Sequence, residues 1–311
     1  MSGALLAFDD VAERLFARLR RTLAGRLPAL DRLETPAWAG VAVAVAGWAL
    51  VVAFSEPWGR LWGTGQDARC YWQAAQDAAH PYLHSDWNDP IAYVYSPAFL
   101  QLMSPLTALP WQAFMAVWTG ILIGAARFLT GPRLLAAGLL FPFTAMEIAG
   151  GNVSLLLAVA IVLGFRWPGA WSIVLLTKIT PGIGLLWFAV RREWRALAIA
   201  LATTGVVAIV SFVLVPDQWR TWVDVVARNA GKGGTWASVP IPLWIRLPAA
   251  VVVVVWGART DRRWAVPVAS MLALPALWYG GLSMLLAVIP LVRDGRATGD
   301  LALAVPRRRT V

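Results

Sequence analysis

The chain has 311 residues, 59% of them hydrophobic and 14% charged, with a net charge of +10 from 25 Arg and 2 Lys against 17 acidic residues. Soluble domains hold about 45–50% apolar residues. The composition therefore excludes an ordinary soluble enzyme and points to a polytopic helical membrane protein, whose helices satisfy their own backbone hydrogen bonds in lipid.

The basic residues cluster between apolar segments, which reads as membrane topology and not as nucleic-acid binding. Cys70 is the only cysteine, so no intramolecular disulfide can form. Residues 4–33 set Phe8, Val11, Leu15, Leu19 and Leu23 near helical spacing, with Arg14, Arg18, Arg21 and Arg26 on the other positions. This segment is either a basic amphipathic helix on the cytoplasmic membrane surface or a plain juxtamembrane helix that only sets orientation. It is too long for the n-region of a signal peptide, so the first span is expected to stay as an anchor.

Apolar segments follow at about 37–54, 93–109, 111–129, 133–149, 152–166, 170–190, 194–215, 240–257, 264–277 and 280–292. A spanning helix needs about 20 apolar residues. Several segments are shorter, and the fourth and fifth are candidates for a re-entrant pair. The expected fold is all-α, a bundle of about ten transmembrane helices with interfacial helices in the first outer loop. Residues 1–35 form the cytoplasmic basic helix, 36–292 the membrane domain and 293–311 a basic cytoplasmic tail. Arg191, Arg192 and Arg195 fall in one inner turn, Arg259, Arg262 and Arg263 in another, and Arg293, Arg296 and Arg307 to Arg309 in the tail. The positive-inside rule then puts both termini in the cytoplasm. Arg127 and Arg133 fit less well, because this topology leaves them in a short outer turn. Outer loops at about 55–92 and 216–239 are too short for a core of their own, so chemistry is expected where they meet the bundle.

Asp67 lies in "GTGQDARCYW", just after the first span, at the start of an amphipathic helix from Ala68 to Ala79. Its carboxylate is either an N-cap for that helix or a general base at the lipid–water boundary. Lys178, in "LLTKITPGIGLLW", sits inside the span 170–190, about 10 Å from Trp171 along a helix. A charge at that depth is costly and usually functional, although a lysine can also snorkel to the interface. Pro181 should kink the helix, and Gly182 and Gly184 let a neighbour approach, which suits a cation holding a phosphate. Arg246, near the outer end of its span, reads either as a second phosphate ligand or as an interfacial anchor. Glu147 and Asn152 flank Gly150-Gly151 between two short helices, where Asn152 is most simply an N-cap. The sequon Asn152-Val153-Ser154 is discounted because it lies against a helix start within the bundle. His80, His84 and the scattered acids give no metal-ligand spacing.

Two stretches, "DARCYWQAAQDAAHPYL" and "YVYSPAFLQLMSPLTALP", carry Asp67, Tyr71, Ala74-Ala75, Pro81-Tyr82, Tyr93, Tyr95, Pro97, Pro105-Leu106 and Leu109-Pro110 in order. This order resembles the opening of glycosyltransferase family 87, integral-membrane enzymes of the GT-C architecture. "GGNVSLLL", "TKITPGIGLLWFAVRREWRAL" and "SVPIPLWIR" are similar to later blocks of that family, so the resemblance runs over about residues 38–250. Asn152 stands where the family usually has Gln, Ser154 where it usually has Asn, and Ser96 replaces one Pro of a Pro-Pro pair. The chain is also expected to be shorter than the family by two or three spans.

The resemblance implies a GT-C-like bundle that transfers a sugar, mannose first among candidates, from a polyprenyl-phosphate carrier to a glycolipid or polysaccharide, with inversion. It implies a bacterial plasma membrane and a site on the outer face. Asp67 is the expected base. Lys178, Arg246 and Arg69 are the expected ligands of the donor phosphate. Tyr71, Tyr95, Asn152 and Glu147 are expected to line the sugar and acceptor pocket. The expected partners are the donor, the acceptor and membrane lipid, with no nucleic acid. No cofactor is required; a divalent metal is compatible with the site but not implied. A lipid-linked-sugar flippase would use the same cations without needing a base, and an inactive partner subunit would need neither.

Overall fold

The structure, a computed structural model, describes residues 35–56, 63–86, 89, 91–230 and 238–293. The basic segment expected at the N-terminus and the tail beyond Arg293 lie outside the described residues. All regular structure among the described residues is helical.

The first helix, α1 (Thr35–Ala53), is a nearly unbroken run of small and β-branched apolar residues. It is followed by α2 (Gln66–Gln76), α3 (Pro97–Thr107) and α4 (Trp111–Thr130). Helices α1 and α4 run antiparallel. Ser55 Oγ lies 3.2 Å from Gln112 Oε1 at one end, and Trp48 Nε1 donates to Ala116 O at 2.8 Å. Both the exit of α1 and the entry of α4 are thus at one end of the bundle, here called the site end, and the chain between them does not cross.

The segment 93–109 is therefore not the expected second span. Ser96 caps α3 by accepting from Phe99 N at 3.3 Å, and Pro97 takes the first helical position. At 11 residues α3 is about 16 Å long, and it lies alongside α2. Trp72 Nε1 donates to Leu109 O at 2.9 Å, and Gln76 Nε2 to Thr107 O at 3.1 Å.

Removing that crossing reverses the sense of α4. Its C-terminal end meets the last helical segment, where an Arg293 guanidinium N–H donates to Thr130 O at 3.4 Å. Arg127 and Arg133 therefore share an end with Arg293, whereas the expected topology put them at opposite ends.

The expected span 133–149 breaks at Phe141 into α5 (Leu135–Leu140) and α6 (Pro142–Gly150), with Pro142 as the first residue of the second piece. Gly151, at φ 74°, then turns the chain into α7 (Ser154–Gly164), and α6 and α7 are bent by 110°. This bent pair fits a broken span as well as the expected re-entrant pair. Phe165, past the end of α7, packs under the Arg263 guanidinium at 5.5 Å and against Trp187 at 5.5 Å.

The expected kinked span 170–190 is instead a hairpin. It runs as α8 (Trp171–Thr177), a 3-10 turn (Thr180–Leu185) and α9 (Leu186–Val190). Trp171 and Phe188 stack edge to face at 6.5 Å, and a Cβ on Gly182 or Gly184 would collide with Leu175 or Trp171. Both legs therefore lie side by side, with Lys178 at the tip. Pro181 lacks the N–H that would continue the helix and restricts Thr180 before it. The two glycines let the return leg close on the first.

Helix α10 (Trp194–Leu214) leads to α11 (Pro216–Asn229), so most of the expected second outer loop is an amphipathic helix. It docks on the first loop: Gln218 Nε2 donates to Ala78 O at 2.8 Å, Asn229 Nδ2 to Ser85 O at 2.8 Å, and Trp222 Nε1 to Val94 O at 3.1 Å. The chain closes with α12 (Leu243–Arg259), α13 (Ala265–Leu272) and a 3-10 run (Tyr279–Ala287). Among the described residues α1, α4 and α10 are long and apolar enough to cross a membrane, with the bent pair as a fourth candidate. The protein is thus a helical membrane protein, but the described residues do not supply ten crossing helices.

Candidate functional site

Three chain reversals meet at one point: the entry to α2, the α6–α7 bend and the tip of the α8–α9 hairpin. At the first, Gly65 adopts φ 84° and its N–H donates to Ala149 O at 2.7 Å, pinning α2 over the end of α6. A side chain at Gly65 would be strained in this left-handed conformation. Gly65 holds the N-cap position, without a side-chain cap bond, and Asp67 lies in the first turn. The cap reading of Asp67 is thereby corrected.

The Asp67 carboxylate turns instead toward the bend, where the Asn152 side chain is among the groups that act on it. The approach depends on a missing side chain, since a Cβ on Gly150 would sit 3.1 Å from Asp67 Oδ2. Burial raises the Asp67 pKa above its usual 3.8, opposed by Lys178, the Asn152 bond and Arg69. The residue is half-buried, so the group is enclosed by protein yet keeps an opening.

The bend is held from behind by Trp118, whose indole N–H donates to Gly151 O at 2.7 Å. Asn152 is buried, and its Oδ1 accepts from Val153 N at 2.7 Å and from Lys178 Nζ at 3.4 Å. Val153, not Asn152, holds the N-cap position of α7, which corrects the expected cap, and Ser154 N in the first turn donates to Glu147 Oε1 at 2.5 Å. A carboxylate there is favoured by the exposed N–H groups of a helix start. Its other oxygen faces Gly280, where a Cβ would come within 2.7 Å. Glu147 is fully buried and interacts electrostatically with both Lys178 and Asp67.

Lys178 has extended backbone at φ −139°, where α8 stops. Its ammonium stands 5.8 Å from the centre of the Tyr95 ring, a cation–π contact. The Tyr95 and Tyr71 hydroxyls are 3.3 Å apart and the two rings pack edge to face at 5.2 Å. Ser96 Oγ also donates to Leu176 O, tying the start of α3 to the hairpin tip.

Asp67, Asn152, Glu147, Lys178, Tyr71 and Tyr95 thus lie together, with Arg69 buried beside Asp67 and acting on it electrostatically. Arg246 is used differently. Its Nε–H goes to Ile241 O at 2.7 Å, and Nη–H groups reach Leu272 O at 2.7 Å, Leu274 O at 2.8 Å and Pro275 O at 3.1 Å. Four of its five N–H groups therefore hold the broken end of α13. His84 Nδ1 pairs with Asp89 Oδ2 at 2.7 Å in the first loop, and Asp89 interacts electrostatically with Arg69. Among the described residues no group of three or more His, Cys, Asp or Glu is arranged to hold a metal ion. The glycines that make room for the carboxylates, Gly150 and Gly280, were not singled out from the sequence. Their signal was present as the Gly150-Gly151 and Gly280-Gly281 pairs.

A family model for glycosyltransferase family 87 matches residues 93–305. The chain belongs to glycosyltransferase family 87. Membership makes it a glycosyltransferase, with a sugar donor and an acceptor. The matched span holds Tyr95, Glu147, Asn152, Lys178 and Arg246 and begins after Asp67, so it is the geometry that joins Asp67 to the family's residues. No curated protein and no solved structure matched the chain.

Proposed function

We propose that the chain transfers a sugar, mannose first among candidates, from a polyprenyl-phosphate carrier to a glycolipid or polysaccharide at the outer face of a bacterial plasma membrane. The observation that carries this reading is the meeting of one carboxylate, Asp67, and one ammonium, Lys178, on the amide of Asn152. The acceptor hydroxyl attacks the anomeric carbon from the face opposite the phosphate. The carbon–oxygen bond to the phosphate breaks and its electron pair leaves with the phosphate, which inverts the sugar. Asp67 takes the hydroxyl proton. Lys178 balances the charge growing on the leaving phosphate, and Arg69, buried on the same side, adds to that positive field. Arg246 contributes through the backbone it holds. Tyr71 and Tyr95 form the apolar wall beside the reacting sugar.

The orientation is supported by charge. Arg127, Arg133, Arg166, Arg191, Arg192, Arg195, Arg259, Arg262, Arg263 and Arg293 lie at turns or helix ends opposite the site. The positive-inside rule assigns that end to the cytoplasm, which leaves Asp67 and Lys178 toward the outer face. The test is a transfer assay of the purified protein against a panel of polyprenyl-phosphate sugars and glycolipid acceptors. Turnover with a lipid-phosphate donor supports the reading. Turnover only with nucleotide sugars would overturn the donor assignment.

A further inference from the structure

Asn152 occupies the one place where the two charged groups of the site meet, and its amide orientation is fixed by its neighbours. Oδ1 accepts from Val153 N at 2.7 Å and from Lys178 Nζ at 3.4 Å. Both partners are donors only, so that atom must be the amide oxygen. The remaining face of the amide is its NH2, and the acceptor that reaches the same bend is the Asp67 carboxylate, whose Oδ2 would lie 3.1 Å from a Cβ on Gly150 and on which the Asn152 side chain acts. The amide is buried at 5% exposure, and the bend that carries it is clamped by Trp118 and Gly65. A rotated amide would set its oxygen against the carboxylate and its NH2 against the ammonium, losing every bond at once.

We propose that Asn152 is a positioning residue that joins Asp67 and Lys178 into one oriented pair, with its NH2 on the carboxylate and its oxygen on the ammonium. The proposal rests on the reading of Asp67 as base. One carboxylate oxygen is held by the amide and the other is left for the acceptor hydroxyl. Lys178 has its ammonium fixed by Asn152 on one side and Tyr95 on another, which leaves its further N–H groups for the donor phosphate. Because the NH2 bonds the ionised form of Asp67, the pair also keeps the base in its working state. The other titratable groups facing Asp67 are Lys178, Arg69, Glu147, Cys70, Tyr71 and Tyr95; of these Lys178 is the one bonded to Asn152, so its release is part of the effect read in the variants.

The experiment follows the protonation of Asp67 without any substrate. Dicyclohexylcarbodiimide adds to protonated carboxyls, and labelling of the Asp67 peptide is read by mass spectrometry across pH. Asn152→Leu removes both amide contacts in a similar volume. Asn152→Ser keeps an acceptor for the Val153 N–H but cannot reach Asp67, and it decides the matter if the leucine variant does not fold. In the folded variants the labelling midpoint moves up by about one pH unit or more, the size expected for losing a hydrogen bond to a charged group. The acid limb of transfer should move with it. An unchanged midpoint in a folded variant overturns the proposal and leaves Asn152 a residue that merely shapes the bend. A shifted midpoint in a protein that transfers no sugar would sink the base reading and leave the pair intact.

Discussion

The ammonium of Lys178 stands 3.4 Å from the amide oxygen of Asn152. One residue comes from the tip of a helical hairpin and the other from a glycine bend, and the contact brings the cation to the carboxylate of Asp67. If the ammonium serves the donor phosphate, Lys178→Met should raise the KM for the lipid-phosphate sugar about 10–100-fold, the equivalent of one charge-assisted hydrogen bond. Steady-state kinetics over donor concentration will check this. An unchanged KM would mean that Lys178 only completes the packing of the tip.

The acid side of the pH profile should report Asp67. Transfer needs the ionised base, so the rate falls as pH drops through its pKa. Burial holds that pKa above the usual 3.8 in spite of Lys178, the Asn152 bond and Arg69, so the acid limb should lie at higher pH than for a free aspartate. A profile of kcat/KM for the free enzyme measures it. A limb at the ordinary carboxylate value would mean that Asp67 is solvated and not enclosed.

Cys70 should be inert in the folded protein. Burial is the main cause pushing its thiol up to about 12, with the Asp67 charge adding to it, so almost no thiolate is present at neutral pH. Maleimide should modify it only after denaturation. The wild-type chain can then serve as the background for cysteines placed at Leu83, Arg133 and Arg192. Leu83 should label from the outside, and Arg133 and Arg192 only from the inside. Labelling of Arg133→Cys from the outside would restore a crossing in 93–109 and contradict the fold.

Gly151→Ala should destabilise without touching the chemistry directly. The residue has φ 74°, and an added Cβ would lie 2.6 Å from that of Ala68. A left-handed conformation costs about 1–2 kcal/mol for an L-residue, and overpacking adds about 1–3 kcal/mol. Thermal unfolding in detergent should show a clear drop in Tm, whereas the same change at half-buried Gly47, where an added Cβ meets nothing within 4 Å, should not.

Arg246→Lys should behave as a structural lesion. A lysine has three donors on one atom and cannot reach Ile241, Leu272, Leu274 and Pro275 together. Loss of stability with an unchanged donor KM in the surviving protein is the expected result. A raised KM at full stability would return Arg246 to the phosphate.

Much of the site was legible because charge in an apolar chain is conspicuous. Asp67, Glu147 and Lys178 stood out against their surroundings, and the order of Tyr71, Tyr95 and the Lys178–Pro181 segment tied them to a family. The path of the chain was less legible. An apolar run such as 170–190 looks the same whether it crosses a membrane or turns back, and only Pro181 with Gly182 and Gly184 hinted at a turn. The segment 93–109 misled for a similar reason, since aromatic residues that bury against α2 are as apolar as those that face lipid. That single error inverted α4 and left Arg127 and Arg133 unexplained. The role of Gly65 was hidden because a left-handed glycine and an aspartate two positions later both fit a helix start, and only the backbone decides which one holds the cap.

The central claim is that Asp67 is the base of a sugar transfer supported by Lys178. The most direct measurement is the transfer rate of Asp67→Asn beside the wild type, with folding of both checked by their melting profiles. Asparagine keeps the size of the side chain but takes up no proton. The account predicts a folded variant whose rate has fallen about 10²–10⁴-fold, with the donor still bound through Lys178. A folded Asp67→Asn protein that transfers sugar at the wild-type rate would contradict it.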